Sequence, residues 1–210
     1  MPISRIHIFE PGTANGQPAM LLLHGTGGDE TQLLEFGRQV APGAALLSIR
    51  GKVLEDGKCR HFARFPDGSL DEEDVVRRSD ELAEFIEEAR RQYGLAEMVA
   101  IGFSNGANIG AALLQRHPRL LSGAVLARAV APLSEPPGHS LCGKSVAVVS
   151  GEHDTVSAPE RGAALAEQLR DAGADVEYHL LPCDHPRNDD DPVVAGDWLR
   201  RKGLAVAAPA

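Results

Sequence analysis

Cysteine is scarce in this sequence, and long apolar runs are absent. The three cysteines, Cys59, Cys142 and Cys183, cannot all pair with one another and do not have the spacing of a metal site. Free thiols are typical of a reducing compartment. No apolar run reaches the length of a bilayer-spanning helix, and the opening MPISRIHIFEPG lacks the segments of a signal peptide. We therefore expect a cytoplasmic protein that does not bind membranes.

Excess positive charge is absent too. The chain has 21 Lys and Arg against 30 Asp and Glu, a net charge of -9, and its basic residues are scattered among acidic ones. A nucleic-acid-binding surface needs a concentration of basic residues that can follow the phosphates, so we expect no nucleic acid partner. A length of 210 residues with 43% hydrophobic content fits one domain with a single substantial core, spanning 1–210.

Short apolar runs alternate with helical patterns along the whole chain. The runs are AMLLLHG, AALLSIRG, EMVAIGFS, SGAVLARAV, KSVAVVSGE and DVEYHLLP, preceded by SRIHIFE as an edge strand. Amphipathic spacing predicts a helix in DEEDVVRRSDELAEFIEEARRQYG that ends at Gly94, and another in DPVVAGDWLRRKG with Asp191 as N-cap and Pro192 as first helical residue. This alternation predicts an α/β fold, in which a mostly parallel sheet of about seven strands has helices on both faces and no large lid.

One stretch, VAIGFSNGANIGAALL, runs from an apolar strand into an alanine-rich helix through a G-x-S-x-G motif. Gly102, Ser104 and Gly106 form the motif. Between a strand and a helix, this motif makes a tight turn that exposes a nucleophilic serine. The alternative is that Ser104 only caps the helix and that the glycines are turn residues.

A nucleophilic serine needs a histidine base and an orienting acid, which follow in that fold in the order serine, acid, histidine. His185 lies after the last predicted strand and is the best base. Asp154 follows the preceding strand and is the best acid, with Glu152 and Asp184 as weaker substitutes. His153 competes as a base, but its place in the chain order calls for the acid.

The glycine-rich loop LLLHGTGGDE after the early strand is suited to stabilising an oxyanion. Its glycines allow close approach of the backbone to a substrate, which predicts that the Thr26 and Asn105 amides form the pair of oxyanion donors. We expect His24 to order the loop by hydrogen bonding. The alternative, a phosphate-binding loop, lacks the P-loop lysine and the dinucleotide spacing.

The long segment RGKVLEDGKCRHFARFPDGSLDEEDV is rich in turn residues and is predicted to form the rim of the pocket. Arg60 and Arg64, together with Arg50, are candidates to meet an acidic or polar group of the substrate, or else to pair with nearby acids. Phe62 and Phe65 either line an acyl or aromatic subsite or pack the loop.

Taken together, LLLHGTGGDE, LLSIRG, RHFARF, IGFSNGANI, GEHDTVSAPE and the late histidine resemble the small carboxylesterase/phospholipase branch of the α/β-hydrolases. Within that branch the chain is most similar to bacterial esterases associated with quinone and hydroquinone resistance. The resemblance implies a triad of Ser104, Asp154 and His185, oxyanion donors at Thr26 and Asn105, and a possible homodimer. One departure is Asp184, since relatives usually have glycine before the histidine.

These residues predict a serine hydrolase that cleaves small soluble esters through an acyl-enzyme, with no cofactor and no metal. Two alternatives stay open. A thioesterase or acyl-transfer enzyme would use the same triad, and a non-catalytic binding module would keep only the scaffold.

Overall fold

The computed structural model describes residues 5–14 and 16–206. Its strands are β1 (His7–Glu10), β2 (Ala19–Leu23), β3 (Leu46–Ile49), β4 (Val53–Glu55), β5 (Lys58–Arg60), β6 (Met98–Phe103), β7 (Gly123–Ala127), β8 (Ser145–Gly151) and β9 (Asp175–Leu181). Its helices are α1 (Leu34–Val40), α2 (Glu72–Tyr93), α3 (Asn105–Arg116), α4 (Pro159–Asp171) and α5 (Asp190–Arg201).

Seven of the strands form one sheet in the order β1-β3-β2-β6-β7-β8-β9, and β4 and β5 pair as a separate hairpin. Strand β1 is antiparallel to β3 at one edge, and the other pairs in the sheet are parallel. The predicted mostly parallel sheet and its edge strand are therefore confirmed. Because the parallel strands end on the same side, the loops after β2, β6, β8 and β9 meet there.

Apolar side chains on the two faces of the sheet build two cores. In β2, Leu21 and Leu23 face one core while Met20 and Leu22 face the other, which is the alternation expected of a strand buried on both faces. Helices α2, α3 and α4 cover the first face, and α1 and α5 cover the second. Helices on both faces are thus confirmed, and no lid-sized helical insertion interrupts residues 16–206.

Helix α2 has the boundaries that its sequence predicts. Asp71 is the N-cap, and its side chain accepts a hydrogen bond from the Asp74 N–H at 3.0 Å. Gly94 ends the helix in the left-handed conformation, with φ 68°. Within the described parts of the chain, no helix has both the length and the apolar character needed to cross a membrane.

The predicted start of α5 is wrong. The helix begins at Asp190 after Asp189, and Asp191 does not cap it. Instead, Asp191 is only 2% exposed and its carboxylate accepts a hydrogen bond from Arg128 at 2.9 Å. Its carboxylate also accepts the Asn188 N–H at 2.8 Å, and the side-chain oxygen of Asn188 accepts the N–H groups of Asp190 and Asp191 at 3.2 Å, so Asn188 satisfies the first N–H groups of the helix.

Candidate active site

Ser104 lies in a sharp turn between β6 and α3. Its backbone has φ 52° and ψ −115°, a conformation that L-residues rarely adopt and that the G-x-S-x-G turn requires. The Ser104 N–H donates to the Ala127 carbonyl of β7 at 2.8 Å, and the side chain makes no capping hydrogen bond to α3. The hydroxyl group is therefore not used to cap the helix.

The two glycines of the motif are required by close backbone contacts. A Cβ atom on Gly106 would lie 2.0 Å from the Leu23 carbonyl oxygen of β2. A Cβ atom on Gly102 would lie 2.6 Å from the Ala107 Cα atom of α3. Since neither backbone can withdraw without separating α3 from the sheet, only glycine fits at either position.

The loops after β6, β8 and β9 bring the three predicted catalytic side chains together. The distance from Ser104 Oγ to His185 Nε2 is 3.0 Å, and the distance from His185 Nδ1 to Asp154 Oδ2 is 2.8 Å. An ionised carboxylate can only accept, so Nδ1–H donates to Asp154 and Nε2 is left to accept the proton of the serine hydroxyl.

Asp154 is held in place by the backbone of its own loop. It is 3% exposed, and its Oδ1 atom accepts hydrogen bonds from the Val156 and Ser157 N–H groups, both at 2.8 Å. These bonds leave Oδ2 facing His185. In the described residues, no hydrogen bond joins the side chains of the other candidates, Glu152, His153 and Asp184, to the imidazole or the serine hydroxyl.

The two predicted oxyanion donors lie on the same cavity as Ser104. Asn105 is the first residue of α3, so its N–H has no carbonyl within the helix to bind. Thr26 follows β2, and the next residue of its loop, Gly27, donates its N–H to the Cys59 carbonyl of β5 at 2.8 Å. Over residues 5–14 and 16–206, neither the Thr26 nor the Asn105 N–H has an acceptor.

The cavity at Ser104 is small, about 70 Å³. The predicted substrate-binding residues Arg60 and Arg64 both line it. Arg161, at the start of α4, lines it as well. The sequence does not identify Arg161 as a cavity residue, because the helical pattern of α4 does not show which residue of its first turn faces the neighbouring loops.

The prediction that Phe62 lines a substrate subsite is wrong. Its side chain is 0% exposed and packs in the core with residues of α2 and α3. Of the two interpretations of this residue, packing of the loop is therefore the correct one. Arg50 also lies outside the cavity lining. It pairs with Glu30, with Nη2 and Oε1 2.8 Å apart. For Arg50 the structure therefore agrees with the second interpretation, an ion pair with a nearby acid.

Comparison with known proteins identifies the family. A model described as the alpha/beta hydrolase fold matches residues 55–146. The chain is also 38% identical over 196 residues to the Bacillus subtilis (strain 168) protein named "Putative hydrolase MhqD", covering 92% of this chain and 97% of that protein. This chain belongs to the α/β-hydrolase family.

Solved structures of similar proteins indicate which kind of hydrolase this chain is. The crystal structure of the Bacillus cereus carboxylesterase is 37% identical to this hydrolase with a TM-score of 0.92, and the match covers 96% of each chain. A carboxylesterase from Mesorhizobium loti is 30% identical with a TM-score of 0.83, covering 87% of this chain and 88% of that one. The hydrolase is of the carboxylesterase type, as its sequence predicts.

A buried arginine anchors the loop of the hydrolase that carries His185. Arg128 directly follows β7, has φ 55° and is 0% exposed. Its terminal nitrogens donate to the two Asp191 oxygens at 2.9 and 3.0 Å, and its Nε donates to the Asp184 carbonyl at 3.3 Å. In the sequence, this buried ion pair is indicated only by an arginine inside the apolar run AVLARAV. That pattern does not identify Asp191 as the partner.

Two buried histidines support the glycine-rich loop of the hydrolase. His24 Nδ1–H donates to the Gly25 carbonyl at 2.7 Å, and Nε2 accepts the Gly51 N–H at 2.9 Å, so the expected ordering contacts are present. His61 lies beside it, with ring centroids 4.4 Å apart and ring planes tilted by 37°. Burial lowers the pKa of His24 and lowers the pKa of His61 well below its ordinary value.

The free energy of unfolding is expected to decrease as the pH falls below about 6.5, the ordinary histidine pKa. Because burial lowers both pKa values, the unfolded chain binds protons before the folded one does. Each histidine contributes up to about 1.4 kcal/mol per pH unit to the slope of the unfolding free energy against pH. Urea denaturation at pH 7.5 and 5.5 measures the effect. His24→Gln should reduce the slope, and a wild-type free energy that is equal at both pH values would contradict the prediction.

Proposed function

We propose that this hydrolase cleaves short carboxylic esters by nucleophilic catalysis, with Ser104, His185 and Asp154 as its triad. The observation that carries the proposal is the continuous hydrogen-bond chain from Ser104 Oγ to His185 to Asp154, at 3.0 and 2.8 Å. Such a chain activates a serine because the base is in contact with the hydroxyl and is itself oriented by a third group.

In the first half of the reaction, Ser104 Oγ attacks the ester carbonyl carbon while its proton passes to His185 Nε2. Asp154 stabilises the imidazolium that forms. The negative charge on the former carbonyl oxygen is bound by the Thr26 and Asn105 amides, each of which contributes about 3 kcal/mol to transition-state stabilisation. His185 then protonates the leaving alkoxide, and the acyl group remains on Ser104.

In the second half, water takes the place of the alcohol. His185 accepts a proton from the water as it attacks the acyl carbonyl, and then returns that proton to Ser104 Oγ as the carboxylic acid leaves. The products are one acid and one alcohol, and every proton moves between residues of this chain, substrate and water. No metal or cofactor enters these steps.

The size of the site supports a short substrate. The cavity at Ser104 is about 70 Å³, which is small beside the roughly 300–1,000 Å³ of typical ligand pockets. No helical insertion between residues 16 and 206 forms a cover for a long acyl chain. A small ester therefore fits the site better than a long-chain lipid does.

A panel of p-nitrophenyl acetate, butyrate and octanoate, with the matching thioesters, tests the proposal. We expect the acetate and butyrate oxygen esters to be hydrolysed, and kcat/KM to be lower for octanoate. Faster turnover of every thioester than of its oxygen counterpart would indicate a thioesterase. Folded protein that hydrolyses none of these compounds would contradict the proposed activity and favour a binding module.

A further inference from the structure

The charge of the cavity at Ser104 is opposite to that of the chain. The whole sequence has a net charge of -9, yet the residues that line the cavity include three arginines, Arg60, Arg64 and Arg161, and neither an aspartate nor a glutamate. We call these three residues the arginine cluster. Because an acidic protein repels anions from most of its surface, a positive cavity needs a specific explanation.

Arg60 is the most buried member of the cluster. Its side chain is 3% exposed, and burial, followed by the positive charge of Arg64, lowers its pKa. Its Nε–H donates to the Phe62 carbonyl at 3.2 Å and lies 3.2 Å from a Glu55 oxygen. Among the described residues, its two terminal nitrogens have no hydrogen-bond acceptor. These nitrogens are not among the fully buried side-chain atoms of the described residues, so the cavity leaves them open to a ligand that can accept their hydrogen bonds.

Unlike Arg60, which pairs with Glu55, the other two arginines have no carboxylate partner among the described residues. Across residues 5–14 and 16–206, the side chains of Arg64 and Arg161 form no ion pair. Glu55, the partner of Arg60, uses its Oε1 atom to accept the backbone N–H of Arg64. The positive charge of the cluster is therefore only partly balanced by the protein itself.

We infer that the ester substrate carries a carboxylate, which the arginine cluster binds beside Ser104. The inference rests on the proposed function, whose substrate class it narrows. A carboxylate matches a guanidinium because its two oxygens accept two parallel N–H bonds. The bound carboxylate supplies the acceptors that Arg60 lacks.

The small cavity limits the distance between the carboxylate and the ester. Ser104, Asn105 and the arginine cluster line one small space of about 70 Å³, so a substrate that reaches both Ser104 and the cluster needs only a short chain between its two groups. Half-esters of short dicarboxylic acids and acyl esters of short hydroxy acids have this form. The carboxylate lies on the acyl side in the first kind and on the alcohol side in the second.

Two pairs of esters test the inference, with acid release followed at constant pH. Monomethyl glutarate is compared with dimethyl glutarate, and acetoxyacetate with methyl acetoxyacetate. In at least one pair, we expect kcat/KM to be about 10- to 100-fold higher for the charged ester, as charge-assisted hydrogen bonds would produce. Neutral esters that react as fast as the charged ones in both pairs would overturn the inference.

Arginine variants assign the preference to the cluster. Arg64 and Arg161 are exposed, so the Arg64→Gln and Arg161→Gln variants should fold. Each should lower the ratio of kcat/KM for the charged ester to kcat/KM for the neutral ester at least about fivefold. Arg170→Gln, on the same helix α4 but outside the cavity, is the matched control and should keep the wild-type ratio. An equal loss for both esters in Arg161→Gln and Arg64→Gln would overturn the inference.

A binding measurement separates this inference from the proposed function. Calorimetry with Ser104→Ala protein should detect glutarate, and adding Arg161→Gln should weaken its binding about tenfold or more. If no ester is hydrolysed but glutarate binds in this arginine-dependent way, the proposed function fails and the anion site stands. If esters are hydrolysed but glutarate binding does not depend on Arg161, only the present inference fails.

Discussion

Replacement of Ser104 by alanine is expected to lower kcat for p-nitrophenyl acetate by about 10⁶-fold. In the proposed mechanism the variant lacks the atom that forms the acyl-enzyme, and His185 then has no hydroxyl to deprotonate. The Thr26 and Asn105 amides remain and account for any residual acceleration over water. Initial rates of native and variant protein at saturating substrate measure the effect.

The variant should fold like the native protein. Among the described residues, the Ser104 hydroxyl forms one hydrogen bond, to His185 Nε2. Alanine has the same backbone restriction as serine at φ 52°. Ser140→Ala, which changes an exposed serine far along the chain from the motif, is the matched control and should retain native rates. A folded Ser104→Ala protein with more than about a tenth of native kcat would show that another group is the nucleophile.

Asp154→Asn is expected to lower kcat by about 10⁴-fold. The Val156 and Ser157 N–H groups both donate to Oδ1, so the amide oxygen of asparagine must occupy that position and its NH₂ group must face His185. Nδ1 then accepts a hydrogen bond, and the ring proton moves to Nε2. That nitrogen can no longer accept the proton of Ser104.

The control for this variant is Asp184→Asn, which changes the exposed acid next to His185 in sequence. Its effect on kcat should be less than about threefold, because exposed charges interact weakly through water. Steady-state kcat and KM for p-nitrophenyl butyrate measure both variants. A loss in Asp184→Asn as large as that in Asp154→Asn would show that the orienting acid has been assigned wrongly.

The parts of the fold and site that could be predicted from the sequence share one property: each depends on residues that are close together in the chain. The strand before Ser104, the helix after it and the two glycines of its turn belong to one short motif. Asp154 and His185 each follow a predicted strand directly, and the strand order of a parallel sheet brings such positions together.

The parts that could not be predicted depend on contacts between distant segments. Whether Phe62 faces the pocket or the core depends on how its loop folds over α2 and α3, which the turn residues of the loop do not specify. The pairing of Arg128 with Asp191 joins residues 63 positions apart and reverses the expected role of Asp191 as a helix cap. Arg161 lines the cavity together with Arg60, Arg64 and Ser104, which belong to segments far from α4 in the chain.

Covalent labelling of the native protein with an active-site phosphonate, followed by mass spectrometry, tests the central claim most directly. A phosphonate reacts with an activated serine in the same way as the ester carbonyl does, but the adduct does not hydrolyse readily. We predict one label per chain, located on Ser104, and no label on the Ser104→Ala protein. Folded native protein that takes no label, or takes it on a residue other than Ser104, would contradict the account.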